Sequence, residues 1–268
     1  MNAGTLNPHE SARQMLNKVP EVTIYFWIIK VLTTTVGETA SDFLSSDLHF
    51  GLTGASAVMG VLLAGFLFAQ IRSKEYVPWL YWVNVVLISV VGTLITDNLV
   101  DNFGIALRTT TVAFSLALLA TFSAWYASEK TLSIRSIFTT RRELFYWTAI
   151  LFTFALGTAA GDLTAEGFRL GYSNSALLFG ALIGAAAVPY YLKANAVPAF
   201  WVAYVLTRPL GASLGDFLSQ SIANGGLGLG TVVTSAVFLS TIAALVTYLT
   251  VSRRDKLDAS RSETPSPV

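Results

Sequence analysis

Trp27-Ile-Ile-Lys-Val-Leu-Thr-Thr-Thr-Val-Gly37-Glu-Thr-Ala-Ser-Asp42 decides how this chain folds, because its skeleton, Trp-x9-Gly-x4-Asp, returns three more times. The later copies are Trp82/Gly92/Asp97, Trp147/Gly157/Asp162 and Trp201/Gly211/Asp216. With 20 glycines in 268 residues, four coincidences of spacing are not credible, so the chain carries an internal repeat. Each phrase lies in an apolar stretch long enough to cross a bilayer, which puts the same carboxylate at the same membrane depth four times.

Composition agrees with a membrane environment: 53% of residues are hydrophobic and 12% charged, and the mean hydropathy is +0.59. Such a chain exceeds what a soluble surface tolerates. Apolar runs of about 20 residues occur at 20–44, 51–71, 78–100, 105–127, 143–166, 174–192, 198–220 and 228–251. The expected fold is therefore an all-α integral membrane protein with eight transmembrane helices. The polar leader, residues 1–18, lacks the apolar core of a removable signal peptide. The tail, 252–268, is rich in Ser, Pro and charge and reads as disordered.

Lys and Arg in short connections resist translocation and so set orientation. Arg13, Lys18, Arg72, Lys74, Lys130, Arg135, Arg141, Arg142, Lys193, Arg253, Arg254, Lys256 and Arg261 fall on one side, against Arg169 in the opposite connections. Both termini are expected to be cytoplasmic. Cysteine is absent, which removes disulfides and thiolate ligands. The two histidines, His9 and His49, stand outside the spans, so any bound cation would be held by oxygen.

Gly37 and Gly157 are 120 positions apart, Gly92 and Gly211 119, so the chain divides into two four-helix halves, 19–127 and 143–251, joined by a basic linker, 128–142. Each half is two helical hairpins. The four copies then enter the membrane in the same direction, as parallel repeats about an axis along the membrane normal. At about 1.5 Å per residue, the aspartates lie roughly 22 Å beyond their tryptophans, in the outer half of the membrane. The tryptophans read as interfacial anchors. Gly37, Gly92, Gly157 and Gly211 read as close-packing points or helix breaks.

An unpaired carboxylate in hydrocarbon costs at least a few kcal/mol, so Asp42, Asp97, Asp162 and Asp216 need a shared polar space or a structural task such as capping helix ends. Glu38/Asp42, Asp97/Asp101 and Asp162/Glu166 are acidic pairs one helical turn apart, with Gln220 in the corresponding place beyond Asp216. Like charges so placed repel unless a cation or proton lies between them. Nearby hydroxyls, Thr33, Thr34, Thr35, Thr39, Ser41, Ser89, Thr93, Thr96, Thr153, Thr158, Thr207 and Ser213, are candidate neutral ligands. Lys30, Arg108 and Arg208 are candidate counter-charges. Of these, Lys30 is expected to snorkel to the interface, and Pro209 to disturb the helix beside Arg208.

The run from Lys18 to Asp42 (Lys-Val-Pro-Glu-Val-Thr-Ile-Tyr-Phe-Trp and onward), with the later Gly-x4-Asp phrases, resembles an uncharacterised bacterial family described as conserved membrane-anchored proteins. The resemblance covers most of the spanning region and implies a bacterial inner-membrane location, with no activity attached. The acidic repeat is also similar in style to cation exchangers with Glu-x-Gly-Asp motifs, but departs from them in the order Gly37-Glu38-x3-Asp42 and in lacking that Glu in the other copies.

The expected function is a secondary transporter or channel for a hard divalent cation, proton-coupled in one version. Its metal ligands would be Asp42, Asp97, Asp162 and Asp216, with Glu38, Asp101 and Glu166 as auxiliary groups. Two alternatives stand beside it. In one, Arg208 and Lys30 grip the acidic group of a small organic solute. In the other, the protein is a scaffold that transports nothing. No catalytic motif is present, so an enzyme is not expected. The expected partners are the lipid bilayer and the small ion or solute, with no cofactor and no nucleic acid.

Overall fold

A computed structural model describes residues 17–191 and 196–255. Most of the polar leader, with Arg13, the residues around Lys193, and most of the tail, with Lys256 and Arg261, lie outside the described residues. Among the described residues there are eight α-helices and no strands: α1 (Ile24–Asp42), α2 (Gly51–Arg72), α3 (Pro78–Asp97), α4 (Leu107–Glu129), α5 (Thr140–Asp162), α6 (Tyr172–Tyr191), α7 (Ala196–Ser219) and α8 (Thr231–Ser252). They occupy the eight apolar segments.

Local chemistry explains where several of these helices begin. The Thr23 and Thr139 side chains accept hydrogen bonds from the Phe26 and Arg142 amides, capping α1 and α5. Pro78 opens α3, where its missing N–H costs nothing. Five helices, α2, α3, α4, α5 and α8, are long and apolar enough to cross a membrane. Helix α6 is apolar over the shorter stretch Tyr172–Val188, while α1 and α7 carry buried charges, Lys30 and Glu38 in one, Arg208 and Asp216 in the other.

The odd-numbered helices form a closed inner ring. α1 packs against α3, α3 against α5, α5 against α7 and α7 back against α1. The even-numbered helices lie outside, and each packs on the inner helix of the following repeat: α2 on α3, α4 on α5, α6 on α7, and α8 on α1. Their outward faces carry exposed Val58, Val61, Leu116, Leu119, Val237 and Val251. An apolar exterior around a polar axis inverts the usual soluble arrangement and suits a lipid solvent.

The motif glycines make the ring possible. A Cβ on Gly37 would run into Ser89, one on Gly92 into Phe154, one on Gly157 into Arg208 and one on Gly211 into Thr34. Each struck residue stands three positions before the next motif glycine, so a single contact is repeated around the axis. All four glycines lie inside unbroken helices. They serve close packing, and none of them breaks its helix.

The tryptophans use the same rotary scheme and correct the expectation of interfacial anchoring. Trp82, Trp147 and Trp201 are buried, and the aromatic residue preceding each motif tryptophan meets the tryptophan of the next repeat. Ring centroids are 5.7 Å apart for Phe26–Trp82, 5.6 Å for Tyr81–Trp147, 6.3 Å for Tyr146–Trp201 and 5.6 Å for Phe200–Trp27. An aromatic plug thus closes the ring at the N-terminal ends of the inner helices.

Beyond this plug the chain ties its connections together. Lys18 Nζ donates to Glu143 at 2.7 Å and to the Ile71 carbonyl at 2.9 Å, while Gln70 donates to the other Glu143 oxygen at 3.4 Å. The Lys18 and Ile137 backbones pair, and Tyr76 donates to Asp255. Burial and the neighbouring Asp255 carboxylate hold the Tyr76 phenol well above its usual range.

Four outcomes follow from this packing and from the Lys18–Glu143 pair. Gly92→Ala, whose Cβ would sit 2.6 Å from that of Phe154, should lower thermal stability by about 1–3 kcal/mol. Gly60→Ala on α2, where nothing lies within 4 Å, should leave the melting temperature unchanged or slightly raised. Glu143→Gln should cost about 3–5 kcal/mol by stranding buried Lys18, and the double variant Lys18→Met/Glu143→Leu should recover most of it. Unfolding scans of the detergent-solubilised protein measure all four.

Candidate functional site: an acidic cavity on the bundle axis

Because all four inner helices run the same way, their C-terminal ends meet at the end of the ring opposite the aromatic plug. Each ends at its motif aspartate or within a turn of it. In the first three repeats a five-residue π-helical turn follows at once, Phe43–Asp47, Asn98–Asn102 and Leu163–Gly167. Such turns widen the backbone and recur at functional sites. In the fourth repeat a short 3₁₀ turn, Ile222–Asn224, comes instead.

The aspartates converge. A cavity of about 320 Å³ is lined by Glu38, Asp42, Asp97, Asp101, Asp162, Glu166 and Asp216, with Gln220, Ser45 and Ser46. All three acidic pairs and the fourth-repeat Gln220 therefore face one space. Glu38 and Asp216 are buried, Asp42, Asp97 and Asp162 are half-buried, and Asp101 and Glu166 are exposed at the mouth. Ser41 donates to Asp97 at 3.3 Å and Tyr172 to Glu166 at 2.9 Å. Carboxylate oxygens of Glu38, Asp162 and Asp216 lie within 4.8 Å of one another. The closest trio thus contains Glu38 in place of Asp42 and Asp97, which stand farther round the wall.

Arg208 does not line this cavity but is bonded to one of its lining residues, Glu38. It is 0% exposed, and its Nη2 reaches Glu38 Oε2 at 3.0 Å, Thr158 Oγ1 at 2.7 Å and the Thr93 hydroxyl. Its Nη1 donates to the Thr34 carbonyl at 3.2 Å. Glu38, Thr93 and Thr158 each follow their motif glycine directly, so one α7 side chain bonds the other three inner helices at one level. Charge-assisted bonds of this kind are shorter and stronger than neutral ones. Pro209 beside it is accommodated within a continuous α7.

Three other sequence expectations change. Lys30 does not snorkel: it is 0% exposed, with Nζ 4.0 Å from the Phe154 ring centroid and 4.3 Å from that of Tyr204. Arg108 is exposed and stacks 5.7 Å from the Phe168 ring, with no carboxylate in ion-pair range among the described residues, so it is no counter-charge to the aspartates. The threonines near the motif do not line the cavity. Thr33, Thr34 and Thr35 bond carbonyls of their own helix, and Thr93 and Thr158 hold Arg208. The hydroxyls that do line it, Ser45 and Ser46, were missed although they stand three and four residues past Asp42, the spacing of one helical face.

Seven carboxylates around one small space, with a single buried arginine bonded to one of them, make a site of strongly negative potential. Carboxylate oxygens are the ligand type that hard cations and protons prefer.

No curated protein and no solved structure matches the chain. The family model described as Repeat of Unknown Function (DUF347) matches residues 25–76, 80–131, 145–195 and 199–255, one match for each Trp-Gly-Asp phrase. Matched four times over most of its length, the chain belongs to the DUF347 repeat family.

Proposed function

We propose that this protein is a bacterial inner-membrane transporter or channel for a hard divalent cation such as manganese, magnesium or calcium, with the axial cavity as its ion site. In this reading all eight helices cross the bilayer, both termini are cytoplasmic, and the cavity opens on the outer face. The basic connections gathered at the aromatic end support that orientation. The resemblance of the Lys18–Asp42 run to bacterial proteins described as membrane-anchored supports the location.

One observation carries the functional reading: seven carboxylates line one cavity, with the buried Arg208 bonded to one of them, Glu38. A protein that buries such repulsion needs a positive occupant to balance it. Glu38, Asp162 and Asp216 are close enough to share one ion after small side-chain rotations, since oxygen ligands sit about 2.0–2.6 Å from these metals. Asp42, Asp97, Asp101 and Glu166 would concentrate ions at the mouth.

Arg208 supplies the means of release. Bound to Glu38, it competes with the ion for a shared carboxylate, and an ion that takes Glu38 must displace the guanidinium. The displaced arginine returns when the ion leaves. This internal counter-ion thereby keeps Glu38 paired when no ion is bound.

Reconstituted in liposomes containing a divalent-sensitive dye, the wild-type protein should admit at least one of these ions, and Asp162→Asn and Glu38→Gln should each reduce the flux by at least about tenfold, about 1.4 kcal/mol. Absence of flux for every ion, or flux untouched by both variants, would refute the proposal. Arg208→Gln should separate the steps: ion binding by calorimetry as tight or tighter than wild type, but transport reduced.

A further inference from the structure

The outer surface carries a groove between α4 and α5 that the acidic cavity does not use. Its volume is about 590 Å³. Ala117, Ala120 and Ala124 form its α4 wall, three short side chains spaced to share one helical face. Leu144 and Phe152, eight positions apart on α5, form the opposite wall, and Arg141 stands at the end of the groove nearest the start of that helix. Ala120, Ala124 and Leu144 are exposed, so among the described residues no other helix fills the trough.

Depth and lining say what kind of molecule fits. Arg141 and Phe152 are eleven positions apart, which at about 1.5 Å per residue is roughly 16 Å. That is about half of a hydrocarbon core roughly 30 Å thick. The groove therefore has the reach of one leaflet, whereas a partner helix crossing the whole bilayer would need a contact face twice as long. Its apolar walls over that length suit a hydrocarbon chain.

The mouth of the groove is basic. Lys130, Arg135, Arg141 and Arg142 lie in or beside the connection from α4 to α5, against Glu129 as the single acid between positions 129 and 142. Arg142 Nε holds that carboxylate at 2.8 Å, while Arg141 Nε stands 3.6 Å from it with a side chain 69% exposed. The Arg141 guanidinium thus keeps donors for an outside acceptor, and its planar fork matches a phosphate. Basic clusters at the end of membrane-spanning helices attract anionic headgroups.

We propose that the groove between α4 and α5 binds one anionic phospholipid from the leaflet at the basic end, with its phosphate on Arg141 and an acyl chain along the three alanines. The site uses no residue of the acidic cavity and does not depend on cation transport.

The test compares thermal unfolding of the delipidated full chain in detergent after addition of phosphatidylglycerol, phosphatidylcholine with the same acyl chains, or inorganic phosphate. A ligand that binds only the folded state raises the melting temperature saturably. Phosphatidylglycerol should give that rise with the wild-type protein and with Arg72→Gln, a control at another exposed arginine, whereas Arg141→Gln should reduce it to the phosphatidylcholine level. Ala120→Phe, which fills the groove from an exposed position, should lose the rise while eluting as the wild type does; if it misassembles, Arg141→Gln decides alone. Equal rises with both lipids would mean a general lipid coat, and a rise with inorganic phosphate alone a soluble anion. A wild-type dimer in light scattering that Ala120→Phe splits would put a second copy in the groove, and a full rise in Arg141→Gln would place the headgroup elsewhere. Each of these four results overturns the proposal.

Discussion

Everything in this structure rests on how closely four parallel helices approach at their motif glycines. Without a side chain at Gly37, Gly92, Gly157 and Gly211, each inner helix receives a residue from its neighbour, and the ring closes tightly enough for Arg208 to reach three other helices at once. In a bilayer the usual hydrophobic drive between helices is missing, so packing and interhelical hydrogen bonds must hold the ring together. The glycine contacts supply the first and the arginine the second.

Parallel packing has an electrostatic price that antiparallel bundles avoid. The four inner helices direct their negative dipole ends to the acidic cavity, so backbone and side chains add to one another there instead of cancelling. The same geometry turns four positive N-terminal ends toward the aromatic plug. Polarity along the axis thus arises from the fold itself, with the carboxylates amplifying it.

The repeat, its direction and the acidic pairs were legible because they are matters of period: Trp, Gly and Asp at fixed spacing, and second acids one turn from the first; period alone leaves open whether the four motif helices meet around one axis. What the sequence withheld was rotation about each helix. Lys30 and an interfacial lysine look alike in one dimension, and only aligning it with Tyr204 across repeats places it on the axial face. The tryptophans illustrate the same limit, since an aromatic residue at a helix end suits a headgroup layer and a neighbouring ring equally well. Thr93 and Thr158 were read as ion ligands because hydroxyls near carboxylates suggest coordination; the arginine on the facing helix claims them first.

The rotary placement of the outer helices bears on how such a chain is assembled. Because α2 lies on α3, α4 on α5, α6 on α7 and α8 on α1, no repeat buries its own hairpin, and the circle stays open until α8 finds the flank of the first helix. During synthesis the earliest helix therefore waits longest for its partner. The contact between the two halves is of the same kind as the contact within each half. A polypeptide holding one half has a donor edge and an acceptor edge of matching shape, and two copies joined head to tail would complete the circle, which makes a gene duplication within a former homodimer a natural origin for the chain.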